Sequence, residues 1–376
     1  MTNVKKNSIS AAAAVLILFL MGVVFSYLQL HFPAYAGTEE EGECVDYERS
    51  ENTIAIDCEA SFLDVIQAIN DPDILENSGN GEYILNANLE VDDDATFEMT
   101  SNQDGLQYLK IAGVNGIIVD GKIEIDGVKI TSWDTEDNSP VFQTSTGSVP
   151  RAYINLRDSD GGFINNSEIA YLGYQEFGRR GFDLFGGDEP AHNLEIRGNR
   201  FHDMWMAFYS KEAYNITVDR NEYHHNIKYA LDPHTGTHDM NITNNWLHHN
   251  PIGVICSDRC SNILIEGNRA EHNTRAGIFF SRNMHDSIAR NNYIYNSSSG
   301  IIVSESPNNQ IYNNIIEGAT RTGIRLFNPP EPDDGFTEGN HVYNNTISNS
   351  DDGIREIRSH DNILEDNKFF NIESDE

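Results

Sequence analysis

Basic residues are scarce. The 376-residue chain carries 25 Lys and Arg against 59 Asp and Glu, a formal net charge of −34. Nothing in that balance supplies a basic footprint, which excludes a nucleic-acid partner. Cysteine is scarce as well, limited to Cys44, Cys58, Cys256 and Cys260. No C-x-x-C spacing occurs among them, so a thiol redox enzyme and a zinc ribbon are both disfavoured. Acid is absent from the first 36 residues, which contrasts with the rest of the chain. What is abundant is apolar material, 39% of residues, enough for a sizeable core and too much for a disordered chain.

Residues 1–36 read as an export segment. Lys5 and Lys6 precede an apolar stretch over residues 9–30, and Ala34, Tyr35 and Ala36 form a small-x-small cleavage site. The stretch is long for a signal peptide, so an uncleaved membrane anchor is the alternative. Either form places the protein outside the cell or at its surface. Without the two lysines of this segment the remainder carries −36, that is −34 less two positive charges, an acidity suited to a salt-rich medium. Export also favours two local disulfides, Cys44–Cys58 and Cys256–Cys260.

The remainder is a repeat. Asn recurs at Asn199, Asn221, Asn245, Asn268, Asn292, Asn314, Asn345 and Asn367, at intervals near 23 with one long step before Asn345. A small residue recurs in a second phase: Ala207, Ala230, Gly253, Gly277, Gly300, Gly323 and Gly353. Both ladders take their long step across the same stretch, residues 328–335, which is therefore a local insert. Apolar residues follow each small residue in alternation, as on a strand with one inward lane. A period near 23 with short strands means one coil per repeat. The expected fold is all-β, a right-handed parallel β-helix of roughly ten coils, about 50 Å long at about 4.8 Å per coil. The stacked Asn residues are read as structural, their amides satisfying one another and the backbone. Residues 61–70 have helical apolar spacing with Ser61 as N-cap, a helix suited to covering an open end. The expected organisation is an export segment at 1–36, a cap region at 37–80 and one β-helix domain at 81–376.

Outward lanes of such a solenoid form a groove suited to a linear polymer. One lane reads Asp183, Tyr209, Asp232, Ile255, Phe279, Ile302 and Arg325; the next reads Phe185, Lys211, His234, Ser257, Ser281, Ser304 and Phe327. Arg282 stands one position further on, and Arg259 comes from the preceding coil. Asp232 and His234 share a face, with Lys211 one coil from His234. Pro233 interrupts this strand and removes a ladder donor. The bland reading is a bulge with an exposed histidine; the sharper one is a catalytic strand. Two further lanes, His202, His224 and His248, and His225, His249 and His272, form a histidine-rich wall. A ladder repeats residue types by its nature, and no Cys or carboxylate completes an evident tetrahedral set, so no metal site is assigned.

The segment Tyr229-Ala230-Leu231-Asp232-Pro233-His234 resembles the Tyr-Gly-x-Asp-Pro-His motif of mannuronan C5-epimerases, and the surrounding coils resemble their single-domain branch over about residues 160–330. Ala230 replaces the family's Gly, and Asp258 stands where an Arg is expected. No Gly-Gly-x-Gly-x-Asp calcium repeats follow, which disfavours the modular branch. The resemblance implies C5-epimerisation of mannuronate to guluronate in an anionic polysaccharide. His234 and Tyr229 would be base and acid in either order, Asp232 would orient or tune His234, and Lys211 with Arg282 or Arg259 would hold the carboxylate. Tyr209, Pro233, His238 and Arg325 would contribute to substrate binding. No cofactor is required, although Ca2+ is compatible as a bridge between polyanion and acidic protein. A monomer is expected. Two readings compete: a polyuronate lyase, which uses the same carbanion but breaks the chain, and a non-catalytic glycan-binding β-helix.

Overall fold

In the computed structural model, residues 44–142, 149–332 and 335–373 are described. The expected export segment lies outside them. The chain winds into a parallel β-solenoid whose strands stack into three long sheets of 13, 13 and 14 strands. About twelve turns are present, against the roughly ten expected. The extra turns lie at the N-terminal end, where the sequence period is weak: Thr53–Ile56 already pairs in parallel with Asn88–Val91. The helix Phe62–Ala68 is set inside the first coil, because Glu59–Ser61 runs directly into it and pairs with Thr96–Thr100. Ser61 caps it reciprocally with Asp64, and Phe62 and Val65 are fully buried.

The corners explain the Asn ladder. Each ladder Asn follows a residue in the left-handed region, such as Arg220 (φ 56°), Asn244 (φ 55°) and Asn291 (φ 56°), so the chain turns sharply between second and third sheets. Such a corner strands backbone groups, and the next amide answers them. Asn221 Nδ2 donates to Asn245 Oδ1 at 3.0 Å, and Asn245 Nδ2 donates to Asn268 Oδ1 at 3.0 Å. The same oxygens accept the backbone N–H of the preceding Asn. A second ladder, Asn226, Asn250 and Asn273, serves the corner between third and first sheets. The small-residue ladder is steric. A Cβ on Gly277 would stand 2.7 Å from Ile294 Cγ2, and one on Gly300 would stand 2.4 Å from Gly323 O.

Cys44 and Cys58 are joined by a disulfide, as expected. Cys256 and Cys260 are not: both are free and buried. The reason is their placement. Cys256 fills the inward apolar lane in register with Phe280, whereas Cys260 lies past the corner with its thiol donating to Ser257 O at 3.1 Å.

Candidate active site

The strand Tyr229–His234 occupies the middle of the first sheet. Its register with the preceding strand pairs Tyr209 with Asp232, Ser210 with Pro233 and Lys211 with His234. Pro233 is buried in the inward lane. On the other side the register holds only at Tyr229–Ile252 and Leu231–Val254, as a missing ladder donor dictates. Alternation leaves Asp232 and His234 on the outer face. Here they line a cleft of about 440 Å3 with Arg180, Tyr209, Tyr229, Arg275, Phe279 and Arg282. Ile255 and Phe279, which line it, belong to an apolar cluster with Ile252, Ala276 and Ile302.

Arg282 is aimed by a corner. It follows the strand Ala276–Ser281 at φ 48°, a conformation that turns its side chain back along the sheet. Its Nη2 reaches within 3.5 Å of His234 Nε2. A guanidinium has no lone pair to offer, so Nε2 is the unprotonated nitrogen. The other nitrogen agrees. Nδ1 lies 2.7 Å from Thr235 Oγ1, and that hydroxyl donates to Asp258 Oδ2 at 2.8 Å. The Thr235 backbone N–H is also aimed at Nδ1, at 2.9 Å, a contact that favours the opposite tautomer. The hydroxyl and Arg282 contacts together outweigh it, because the hydroxyl proton is committed to a carboxylate that can only accept and the guanidinium can only donate. The ring is therefore held by the relay His234 Nδ1–H to Thr235 to Asp258, with Nε2 presenting its lone pair to the cleft. Burial, reinforced by Arg282, pushes His234 down to about 4, so it is neutral at pH 7.

The acids behave in the opposite sense. Asp232 is 2% exposed, Asp183 is fully buried, and Oδ1 of each has no hydrogen-bond partner. Burial raises Asp232 well above the carboxylate range and Asp183 to about 7. A carboxyl kept protonated beside a cleft is a donor for an incoming anion. Arg180 stands over the Tyr209 ring, 3.9 Å from its centroid, and its backbone N–H donates to Asp183 Oδ2 at 2.7 Å. Burial raises Tyr229, so its hydroxyl keeps its proton.

Of the residues picked out from sequence, the fold brings His234, Tyr229, Asp232, Tyr209 and Arg282 together. Asp232 is not the group that orients His234: side chains two positions apart on a strand stand parallel, and the contact to Nδ1 falls to Thr235. Lys211 lies beside His234 in register but outside the cleft lining, with Nζ 3.2 Å from Glu212. Arg259 is turned onto Asp258 at 3.1 Å. His238 lies on the second sheet, stacked on Tyr214 and paired with Asp239. Arg325 lies further along the same face. It covers Phe327 and lines adjoining clefts with Arg321 and Arg355. Arg180, Arg275, Thr235 and the roles of Asp183 and Asp258 were missed. Arg180 sits in an irregular loop outside the repeat. Asp258 was visible as a departure from the resembled motif, which was the one available signal.

A family model described as right-handed β-helix region matches residues 113–281 and 233–375. The chain belongs to that family. Among curated proteins it is similar to the mannuronan C5-epimerase of Pseudomonas putida, 29% identical over 142 residues, covering 34% of this chain and 26% of the relative. A similar protein from Azotobacter vinelandii, mannuronan C5-epimerase AlgG, is 29% identical over 176 residues, covering 44% and 33%. The chain thus spans between a quarter and a third of the length of these relatives. Among solved structures, the periplasmic alginate epimerase AlgG superposes with a TM-score of 0.73 at 18% identity, covering 84% of this chain and 85% of that one. The A-module of the Azotobacter vinelandii mannuronan C-5 epimerase AlgE4 gives 0.58 at 20%, covering 86% and 88%. These structural likenesses establish the fold.

Proposed function

We propose that this chain is an exported mannuronan C5-epimerase, converting mannuronate to guluronate within an anionic polysaccharide. The observation that carries the reading is the pairing of a neutral, oriented His234 with Arg282 in an outward cleft of a β-solenoid. The named activity of the curated relatives supports it.

Epimerisation needs three tasks. The substrate carboxylate must be neutralised so that the C5 proton becomes acidic. Arg282 and Arg180 perform this, helped by the protonated Asp232 carboxyl, all aimed at the charge that develops on the carboxylate as the C5–H bond breaks. His234 Nε2 takes the C5 proton, and the electron pair moves into the carboxylate as an enediolate. Tyr229, its proton retained, then donates to C5 from the opposite face and is reprotonated through solvent as His234 loses the proton it took. No glycosidic bond of the polymer breaks and no cofactor enters. Sequence left the order of base and acid open; the neutral imidazole and protonated phenol argue for His234 as base. A net acidic protein would repel a polyanion, but Arg180, Arg275, Arg282, Arg321 and Arg325 line successive clefts along this face, with Arg355 beside them paired to Asp352 at 3.1 Å. The site of action, periplasmic or extracellular, follows the export reading; the solved AlgG is periplasmic.

The test is incubation with polymannuronate in deuterated water, followed by proton NMR. Guluronate with deuterium at C5, absent in His234→Ala, supports the proposal. Unsaturated chain ends would mean a lyase. Neither product from a folded protein would sink both and leave a glycan-binding role.

A further inference from the structure

The corner between third and first sheets carries histidines that the proposed chemistry does not use. His248 ends the strand Trp246–His248, and His249 follows in the left-handed region at φ 56°. That conformation folds the two side chains together: Nδ1 of His248 lies 2.8 Å from Nδ1 of His249. One coil earlier the arrangement repeats. His225 sits at φ 55°, and Nδ1 of His224 lies 2.9 Å from Nδ1 of His225. The rings stack across coils, His224 on His248 at 5.1 Å between centroids and His225 on His249 at 5.0 Å. The structure therefore adds what the lanes in sequence did not show, namely that the two histidine lanes face each other in pairs, nitrogen to nitrogen.

Nitrogens this close need a cation or a proton between them. The proton count at His248 points to which. Its Nε2 lies 3.1 Å from Glu222 Oε1, and a carboxylate only accepts, so Nε2 carries the proton of the neutral ring. Nδ1 is then a lone pair aimed at His249. A carboxylate behind a histidine, fixing the tautomer and sharpening the basicity of the far nitrogen, is the arrangement of a metal ligand. The spacing selects the metal. With metal–nitrogen bonds of about 2.0–2.1 Å, two cis nitrogens of a square centre are about 2.9 Å apart, and two of a tetrahedral centre about 3.3 Å. His249 and His225 are exposed, leaving the remaining positions open to water.

We propose that this corner is a copper site: each histidine pair chelates one Cu2+ in cis fashion through its two Nδ1 atoms, the His248–His249 pair being the tighter because Glu222 fixes its tautomer. It lies apart from the cleft and does not depend on the epimerase reading.

The test uses the full chain freed of metal by a chelator and titrated with Cu2+ alone. Trp246 provides the readout, since its ring lies 4.1 Å from that of His248 and bound Cu2+ would quench its emission. Electron paramagnetic resonance at one equivalent should show hyperfine splitting from two imidazole nitrogens. His225→Asn with His249→Asn should weaken binding by at least 100-fold. Asn suits the conformation, as Asn296 already occupies the equivalent corner at φ 49°. Glu222→Gln, which leaves both ligands in place, should weaken the tighter site by about 10–100-fold. No nitrogen splitting at stoichiometric Cu2+, or affinity unchanged in both variants, would show that the pairs share a proton and nothing more.

Discussion

Arg282 Nη2 lies 3.5 Å from His234 Nε2, although the two residues are 48 positions apart and separated by an intervening coil. The pairing puts a fixed cation next to the nitrogen that would remove a proton. It has two consequences of opposite sign. The cation makes the substrate more acidic, and it also makes the base harder to protonate.

The first prediction follows from that second effect. His234 is held down to about 4, by burial first and Arg282 second. A lowered histidine is neutral above its folded pKa and charges only as pH falls through it. The wild-type kcat/KM should therefore hold through mildly acidic pH and fall near pH 4. In Arg282→Gln the acid limb should move upward toward, but not beyond, the ordinary value of about 6.5. The rate should also drop about 10²–10³-fold from the lost charge stabilisation. An acid limb unmoved in this variant would separate the cation from the base and contradict the arrangement.

Thr235 tests the relay. Thr235→Val keeps the branched shape at a strained corner, φ 20°, but removes the hydroxyl between His234 Nδ1 and Asp258. The ring then loses the partner that fixes its tautomer. The expectation is a kcat loss of about 10–100-fold at nearly constant KM, by analogy with other oriented histidines. Asp258→Asn, which still offers an acceptor to Thr235, should lose less. Equal kcat in wild type and Thr235→Val would mean that burial alone orients the imidazole.

Most of the solenoid was legible from two ladders, because a coil that stacks on itself must repeat whatever solves its corner. Asn268 and Gly277 carried that signal. The first coils were not legible, since their corners use scattered Gly and Asp residues. The lanes also placed His234, Asp232 and Arg282 correctly on one face. They could not supply Arg180, which enters from a loop outside the period, nor foresee that Lys211 would be turned onto its neighbour Glu212. Cys256 and Cys260 misled because closeness in sequence was taken for closeness in space; a strand and a corner intervene. Position along a repeat is readable, whereas direction at a corner depends on backbone torsion.

Arg325 and Arg355 stack in register further along this face, Arg355 paired with Asp352 at 3.1 Å. Burial first, and then the like charges of Arg321, Arg355 and Arg358, lower Arg325. Replacing both by Gln should raise KM several-fold for long polymer, leave kcat unchanged, and leave short oligomers that fill only the cleft unaffected. It should also flatten the salt dependence. A fall in kcat with oligomers would instead place these residues in the chemistry.

Asn268 separates architecture from catalysis. Its Nδ2 donates to Ile242 O at 2.8 Å and to Asn292 Oδ1 at 3.1 Å, while its Oδ1 accepts from Asn245 N at 2.9 Å. The residue is 1% exposed, so Asn268→Ala would leave several polar groups buried without partners. Each such group costs about 1–3 kcal/mol, so a loss of about 3 kcal/mol or more in urea unfolding is expected. Asn367, at the end of the same ladder, is half-buried and has fewer groups depending on it, so Asn367→Ala should cost less. The difference arises because a solenoid passes stress to its nearest neighbours, and an interior coil has two of them. Below its melting range Asn268→Ala should retain the wild-type kcat, since the corner it serves joins second and third sheets while the cleft lies on the first. A variant with unaltered stability and lost turnover would reverse that assignment and make the ladder part of the catalytic face.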